Sequence, residues 1–583
     1  MHWKSSITPT HTSLARRLRY TLTACLLASL LAVAWGQNQL GLLPERTIAA
    51  LGMVNLEAAA EISEDFRQEL NERGLQDLLA ILIDEEFPSE EELELLLGGF
   101  TVLDFLGQEA WVVVSDSAFS PLPVVSLMTE LSAEARPLVA EIIADADWEA
   151  EQTEGDFTFY EMLLEDPDIP LQAFAFALAD DVLMLSSDPE TLRGMLRRLA
   201  GSSQGSLAAT ELFSDTFGLL SEGTFYAYVN YAAIAASLEP FAFGFGFDAL
   251  ADKLLAGLRT AGATAGMIAF EEDAIIGEGV QRVDPDGGDP ALYELLTLNP
   301  GIAFSSASSI PQDVLSYAIA GVDVEASWDY LNSIAMAVPE LGGDLDMLLM
   351  SFGIDFRSTI LPWIGNEAAT IATDVSQTVS PGVPSDNLLG EIAVLLEAND
   401  EAAASAGLEQ FLTSLTQTAA MLGDPQGGMG DVQISSSEIA GVSVTRYDAT
   451  EGVRFFTAVH NGFAIIATSE DAMEQLLNDQ PSVSDDPAMA EELAEVAAEG
   501  FTSVSFTDSQ RSTEVAAEQV REQVQLLAGL GGAAGLDFDT TERSAAAAEE
   551  ILLFIASRIG DTYAVTGVEG NMIFNYSETE VTW

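Results

Sequence analysis

The chain has 583 residues, with 93 Asp and Glu against 21 Lys and Arg, three His and one Cys. A formal charge of −72 sets it against nucleic acid and anionic lipid, because a phosphate surface repels it. A hydrophobic content of 48% excludes a disordered polyelectrolyte, and the length predicts two to four domains.

Residues 1–36 read as a secretory signal peptide. Lys4, Arg16, Arg17 and Arg19 precede the apolar run Leu22 to Ala34, and Ala32-Val33-Ala34 and Ala34-Trp35-Gly36 offer small residues for cleavage. A retained N-terminal anchor is the alternative, although the run is short of the ~20 residues a spanning helix needs. Cys25 precedes most of the apolar run instead of following it, so it is no lipoprotein box. Arg16-Arg17 lacks the apolar pair of a twin-arginine signal. Cleavage removes Cys25, His2 and His11, leaving His460 as the histidine and Lys253 as the lysine. No stable transmembrane span is then expected.

Two stretches of the remaining chain look alike. Ala173–Leu196 and Arg454–Leu477 each run strand, two-residue turn, strand and capped helix. The turns are Asp180-Asp181 and Asn461-Gly462, and Asn-Gly between apolar runs signals a tight hairpin. Gly107, Glu109, Ala110 and Asp116 match Gly365, Glu367, Ala368 and Asp374. Gly223–Tyr231 and Gly500–Asp508 form a looser pair. Hairpins are expected at Ala265–Gln281 and Tyr563–Glu578.

Amphipathic helices are expected at Ser63–Asp84, Ala133–Ala144, Ala249–Thr260, Ala402–Met421 and Ser512–Leu530. Gln377–Asp431 reads as a helix plus loops. The expected fold class is α+β, as two tandem repeats, each an antiparallel sheet with helices packed on one face. Repeat 1 spans 37–283, an acidic Pro/Gly linker 284–297 and repeat 2 298–583, the break falling at Asp284–Pro290.

The segments Ile354–Asp374 (IDFRSTILPWIGNEAATIATD) and Leu207–Ile234, with the hairpin-plus-helix stretches, give the chain a pattern that resembles the bacterial DUF3352 family of exported proteins. The resemblance covers most of the mature chain. Phe100–Ala110 departs from it, lacking the Pro-Trp pair. It implies the repeated fold and export, and brings no activity with it.

The chemistry is narrowed by composition. Histidine-based nucleophilic catalysis would rest on His460, which the pattern places at an exposed hairpin turn. A Cys- or multi-His zinc site lacks its ligands, and no phosphate loop or dinucleotide fingerprint is present. No cofactor is expected. Lys253 reads as a surface lysine on an amphipathic helix. Glu109 and Glu367 are the best carboxylate candidates, and a structural role in strand register is preferred for both. Asp284, Asp286 and Asp289 could hold calcium, but their spacing is not that of an EF-hand, and a solvated linker is preferred. Asp84–Glu94 reads as a solvated acidic helix start.

Phe241, Phe243, Phe245 and Phe247 alternate with Ala and Gly. As a strand they would align four rings on one face, either as core or as an apolar contact site. The expectation is an exported, non-catalytic envelope protein, periplasmic or at the cell surface, that binds or scaffolds an envelope protein or small ligand. A carboxylate-based glycan hydrolase and an apolar-ligand carrier are the alternatives. Acid excess with lysine depletion further predicts adaptation to salt, with calcium buffering as the competing explanation.

Overall fold

The computed structural model describes residues 40–54, 106–116, 123–133, 135–145, 150–163, 173–179, 181–202, 204–242, 248–271, 273–337, 344–351, 353–374, 391–422, 433–448, 454–478, 480–517, 549, 550 and 552–582. Residues 1–36, the expected helix Ser63–Asp84 and the run Asp84–Glu94 lie outside them. The fold is mixed α+β, mostly antiparallel sheet.

The first ten strands are β1 (Thr47–Val54), β2 (Leu106–Ser115), β3 (Val124–Leu131), β4 (Ala150–Glu154) and β5 (Phe157–Leu163), then β6 (Ala173–Ala179), β7 (Val182–Ser186), β8 (Phe225–Asn230), β9 (Ala263–Phe270) and β10 (Ala274–Arg282). They pair antiparallel in the order β4-β5-β6-β7-β3-β2-β1-β8-β9-β10. The next are β11 (Ser316–Gly321), β12 (Ile364–Asp374), β13 (Glu391–Ala398), β14 (Gln433–Ile439) and β15 (Val442–Asp448), then β16 (Arg454–His460), β17 (Phe463–Ala467), β18 (Phe501–Asp508), β19 (Ile559–Glu569) and β20 (Met572–Val581). Their order is β14-β15-β16-β17-β13-β12-β11-β18-β19-β20, the same scheme.

The two series join edge to edge. β10 pairs with β20 antiparallel from Ala274↔Glu580 to Arg282↔Met572, with Glu278 opposite Tyr576. Val283 and Asn571 clamp one end by exchanging hydrogen bonds, the Asn571 backbone and side chain both taking part. At the other end the Val581 N–H donates to the Asp273 carbonyl.

The helices are α1 (Ala135–Asp145), α2 (Pro189–Leu199), α3 (Glu211–Phe217), α4 (Tyr231–Ala242), α5 (Asp248–Ala261) and α6 (Pro290–Leu296). After them come α7 (Val324–Met336), α8 (Leu345–Ser351), α9 (Phe356–Thr359), α10 (Glu401–Leu422), α11 (Glu470–Leu477) and α12 (Pro487–Glu499). Helix is also assigned at 509–517, 549–550 and 552–556; the rest of the expected helix Ser512–Leu530 lies outside the described residues.

α2 shows why local sequence suffices for such elements. Asp188 caps it by accepting from the Thr191 N–H at 2.9 Å, Pro189 fills its first turn, and Leu192, Met195 and Leu196 form its buried stripe. α11 repeats the plan, with Ser469 accepting from Ala472 N–H at 2.9 Å over buried Ala472, Met473, Leu476 and Leu477.

Helices cover both faces of the sheet, which corrects the one-face expectation. On β7, Met184 packs with α2, while Leu183 turns to Ala135 and Val139 of α1. On β17, Ile465 packs with α11, while Ala464 and Ile466 turn to Ala404 and Leu408 of α10 and to Trp363. VLMLS and FAIIA are unbroken apolar runs, and such strands need cover on both sides. A second correction is β13: EIAVLLEA lies inside Gln377–Asp431 and was expected as helix or loop. A short apolar run has no period that separates the two.

Candidate functional site

The junction of the two series carries a cluster of acids and tyrosines. Side chains of directly paired residues share a face of the sheet, so the registers assemble it row by row. One row is Phe506, Tyr563, Glu578 and Ile276. The next is Val504, Val565, Tyr576 and Glu278. At the strand ends Asp508 stands directly opposite Asp561.

α12 covers part of this face. The Tyr317 hydroxyl donates to Met489 Sδ at 3.4 Å, and its ring stacks on Phe506 at 5.5 Å. Burial pushes the Glu492 carboxyl above its ordinary value; Glu578 and Glu495 add to this, and the facing Tyr563 hydroxyl opposes it. The Tyr563 and Tyr317 phenols are also raised, chiefly by burial and then by the charge of Glu492. Tyr576 donates to Glu578 Oε2 at 3.0 Å. Burial, that bond and the nearby acids push its phenol up to about 12. Glu278 accepts from both the Ser221 N–H and hydroxyl at 2.8 Å. Asp561 is raised by burial, then by Asp508 and Glu580.

The face opens at its end into a cleft of about 360 Å³, lined by Asp273, Gln510, Ser557, Arg558, Glu578 and Glu580 among others. Arg558 is anchored there: Nη1 donates to the Thr582 carbonyl at 2.8 Å and the guanidinium lies 5.6 Å from the Phe554 ring centre. Carboxylates beside phenol rings suit recognition of ammonium or guanidinium groups, by charge-assisted hydrogen bonds and by the ring faces.

No family model, no curated protein and no solved structure matches this chain.

The residues singled out from sequence lie elsewhere. Glu367 is buried and its carboxylate accepts from Ser305 N–H (2.9 Å), Ser305 Oγ (3.1 Å) and Ser306 N–H (2.6 Å). It thereby caps the short 3₁₀ helix Ser305–Ser309, whose preceding residue Phe304 is left-handed and offers no cap of its own. Glu109 is likewise buried, and Trp111 Nε1 donates to it at 3.3 Å. Nine inter-strand steps separate β2 from β12, roughly 40 Å along the sheet at ~4.8 Å each. The two glutamates are therefore not a pair. His460 ends β16 opposite Phe463, and the turn residues Asn461 and Gly462 have φ of 52° and 80°. It stands at a hairpin end.

Lys253 is not a free surface lysine. Its Nζ lies 2.7 Å from Asp289 Oδ2, with side-chain exposures of 19% and 1%, and 5.0 Å from the Tyr330 ring centre. Asp289 also accepts from Leu292 N–H and so caps α6. The segment before it is packed on α5: Asp284 N–H donates to the Thr260 carbonyl and Asp289 N–H to Thr260 Oγ1. Asp284 Oδ1 accepts from Asp286 N–H, so these three aspartates serve turns, a cap and an ion pair. Among the described residues no group of three or more His, Cys, Asp or Glu converges as a metal site.

Phe241 belongs to α4, not to a strand. Phe243, Phe245 and Phe247 lie outside the described residues. Among the described residues no helix is long and apolar enough to cross a membrane. Sequence reasoning missed Glu492, Tyr563, Tyr576 and Glu578 because they come from three elements, α12, β19 and β20. The one available signal was the terminal hairpin itself, whose second strand carries NYSETE where a core strand would be apolar.

Proposed function

We propose that this chain is an exported, non-catalytic envelope protein that binds or scaffolds a partner, made of two tandem α+β repeats joined at β10 and β20. Periplasmic or cell-surface location, a salt-adapted acidic surface and kinship with the DUF3352 family belong to the same proposal. The identical pairing scheme of the two strand series supports the duplication. The observation that carries the binding role is the acid–tyrosine face at the junction, with Tyr576 bonded to Glu578 beside Glu278 and Glu492. Its chemistry fits a cationic group of an envelope protein or small ligand.

The test is affinity capture from the source organism's envelope extract at its native salt, with the purified mature chain as bait. One partner in stoichiometric amount, lost with Tyr576→Ala and Glu578→Gln, is the expected result. Recovery of nothing, or a partner indifferent to both substitutions, refutes it.

A carboxylate-based hydrolase is the second reading, favoured by the raised Glu492 carboxyl near Glu578. It requires glycan cleavage that disappears in both Glu492→Gln and Glu578→Gln.

A further inference from the structure

Among the described residues the sheet ends on β4 and β14, and the two edges are built differently. An open edge offers unpaired N–H and C=O groups, and proteins guard such edges with short strands, charges, prolines or bulges. β4 has five residues, includes Glu151 and Glu154, and is crossed by the Arg197–Glu154 ion pair at 2.8 Å. β14 (QISSSEI) has seven residues, pairs with β15 without a register shift, and carries Glu438 as its one charge. Gln433 to Glu438 are all exposed.

The turn fixes which backbone groups of β14 are free. Ala440 and Gly441, with φ of 50° and 85°, form a two-residue turn, so Ile439 and Val442 are a hydrogen-bonded pair. Bonding alternates along an antiparallel ladder. Ser435 and Ser437 therefore spend their backbone groups on β15, while Ile434, Ser436 and Glu438 point theirs outward.

We propose that this edge docks β14 of a second copy, antiparallel about Ser436. In that register Glu438 of each copy faces Ile434 of the other, and Ser435 faces Ser437, so the two charges never stand opposite. The chain already joins two like edges this way at β10 and β20. The contact is twofold and closes on itself, leaving the guarded β4 edges outward. The charge of −72 opposes association, so the dimer strengthens as salt shortens the range of repulsion. This inference does not rest on the junction reading.

Sedimentation velocity of the mature chain in low and molar NaCl is the first test, with a monomer-to-dimer shift expected as salt rises. Ser436→Pro removes one outward donor without touching the β15 ladder, and is expected to restore the monomer with an unchanged circular dichroism spectrum. Ser436→Cys, with Cys25 absent, sets two thiols about the twofold at a Cα separation of about 5.5 Å, within disulfide range. It is expected to give a covalent dimer on oxidation, well above the yield from Thr153→Cys on β4. A native chain that stays monomeric in molar salt, or cross-linking at 436 no faster than at 153, overturns the proposal. The cysteine variant keeps the test decisive if the proline variant fails to fold.

Discussion

Replacing Lys253 by Met tests how the two strand series are tied together. Lys253 on α5 meets an Asp289 side chain that is 1% exposed, at 2.7 Å. Removing the lysine leaves that carboxylate buried and uncompensated, which costs about 3–5 kcal/mol. The loss falls on the segment from Asp284 through α6, since Asp289 caps α6 and its N–H anchors to Thr260. At ~1.4 kcal/mol per decade, amide exchange there should accelerate by about two to four decades. Hydrogen-exchange mass spectrometry of peptides covering residues 284–296 reads this directly. Adding Asp289→Asn removes the second charge and keeps a capping oxygen, so the double variant should recover most of the protection. If Lys253→Met exchanges within threefold of the native chain, the pair is not a buried tie and the reasoning is wrong.

Glu367→Ala strands the Ser305 and Ser306 N–H groups and should lower stability by about 2–4 kcal/mol, whereas Glu367→Gln should cost about 1 kcal/mol; equal losses in chemical denaturation would contradict the capping role. Ala440→Gly relieves a left-handed alanine at φ 50° and should stabilise the β14–β15 hairpin by up to about 1 kcal/mol, read from the same denaturation curves. Glu492 and Asp561 are both held above their ordinary values of 4.5 and 3.8, chiefly by burial. A raised carboxyl binds more proton folded than unfolded, so its contribution is fully present below the ordinary value and lost as pH rises through the folded one. Unfolding free energy should fall across that window, and Glu492→Gln should flatten the fall; an unchanged slope would show that Glu492 is not its source. The melting temperature should climb with NaCl to molar levels, and a flat or falling trend at fixed pH would sink salt adaptation.

Local signals were legible in sequence. Asn461-Gly462 predicted its hairpin because few residues accept two positive φ values in a row. The capped helices expected at the ends of Ala173–Leu196 and Arg454–Leu477 begin at Asp188 and Ser469, because a capping oxygen acts within three residues. Glu109 and Glu367 were read as strand-register residues, whereas the cap that Glu367 provides to Ser305–Ser309 spans about sixty residues and had no local trace. Lys253 was misread for the same reason, since its partner lies on another helix. β13 was missed because a short apolar run fits helix and strand alike.

Sequence by itself determined most of the described helices and hairpins, the tight turns, the local caps and the charge, all of which depend on neighbours within a few residues or on a sum over the chain. The tertiary structure alone decided which faces are covered, how the two series meet and which acids gather. Sheet pairing sets Glu278 opposite Tyr576 and Asp508 opposite Asp561 across long stretches of chain, and α12 brings Glu492 to Tyr563 and Glu578. Burial and proximity raise Glu492, Asp561 and Tyr576, and neither quantity exists until the strands have paired.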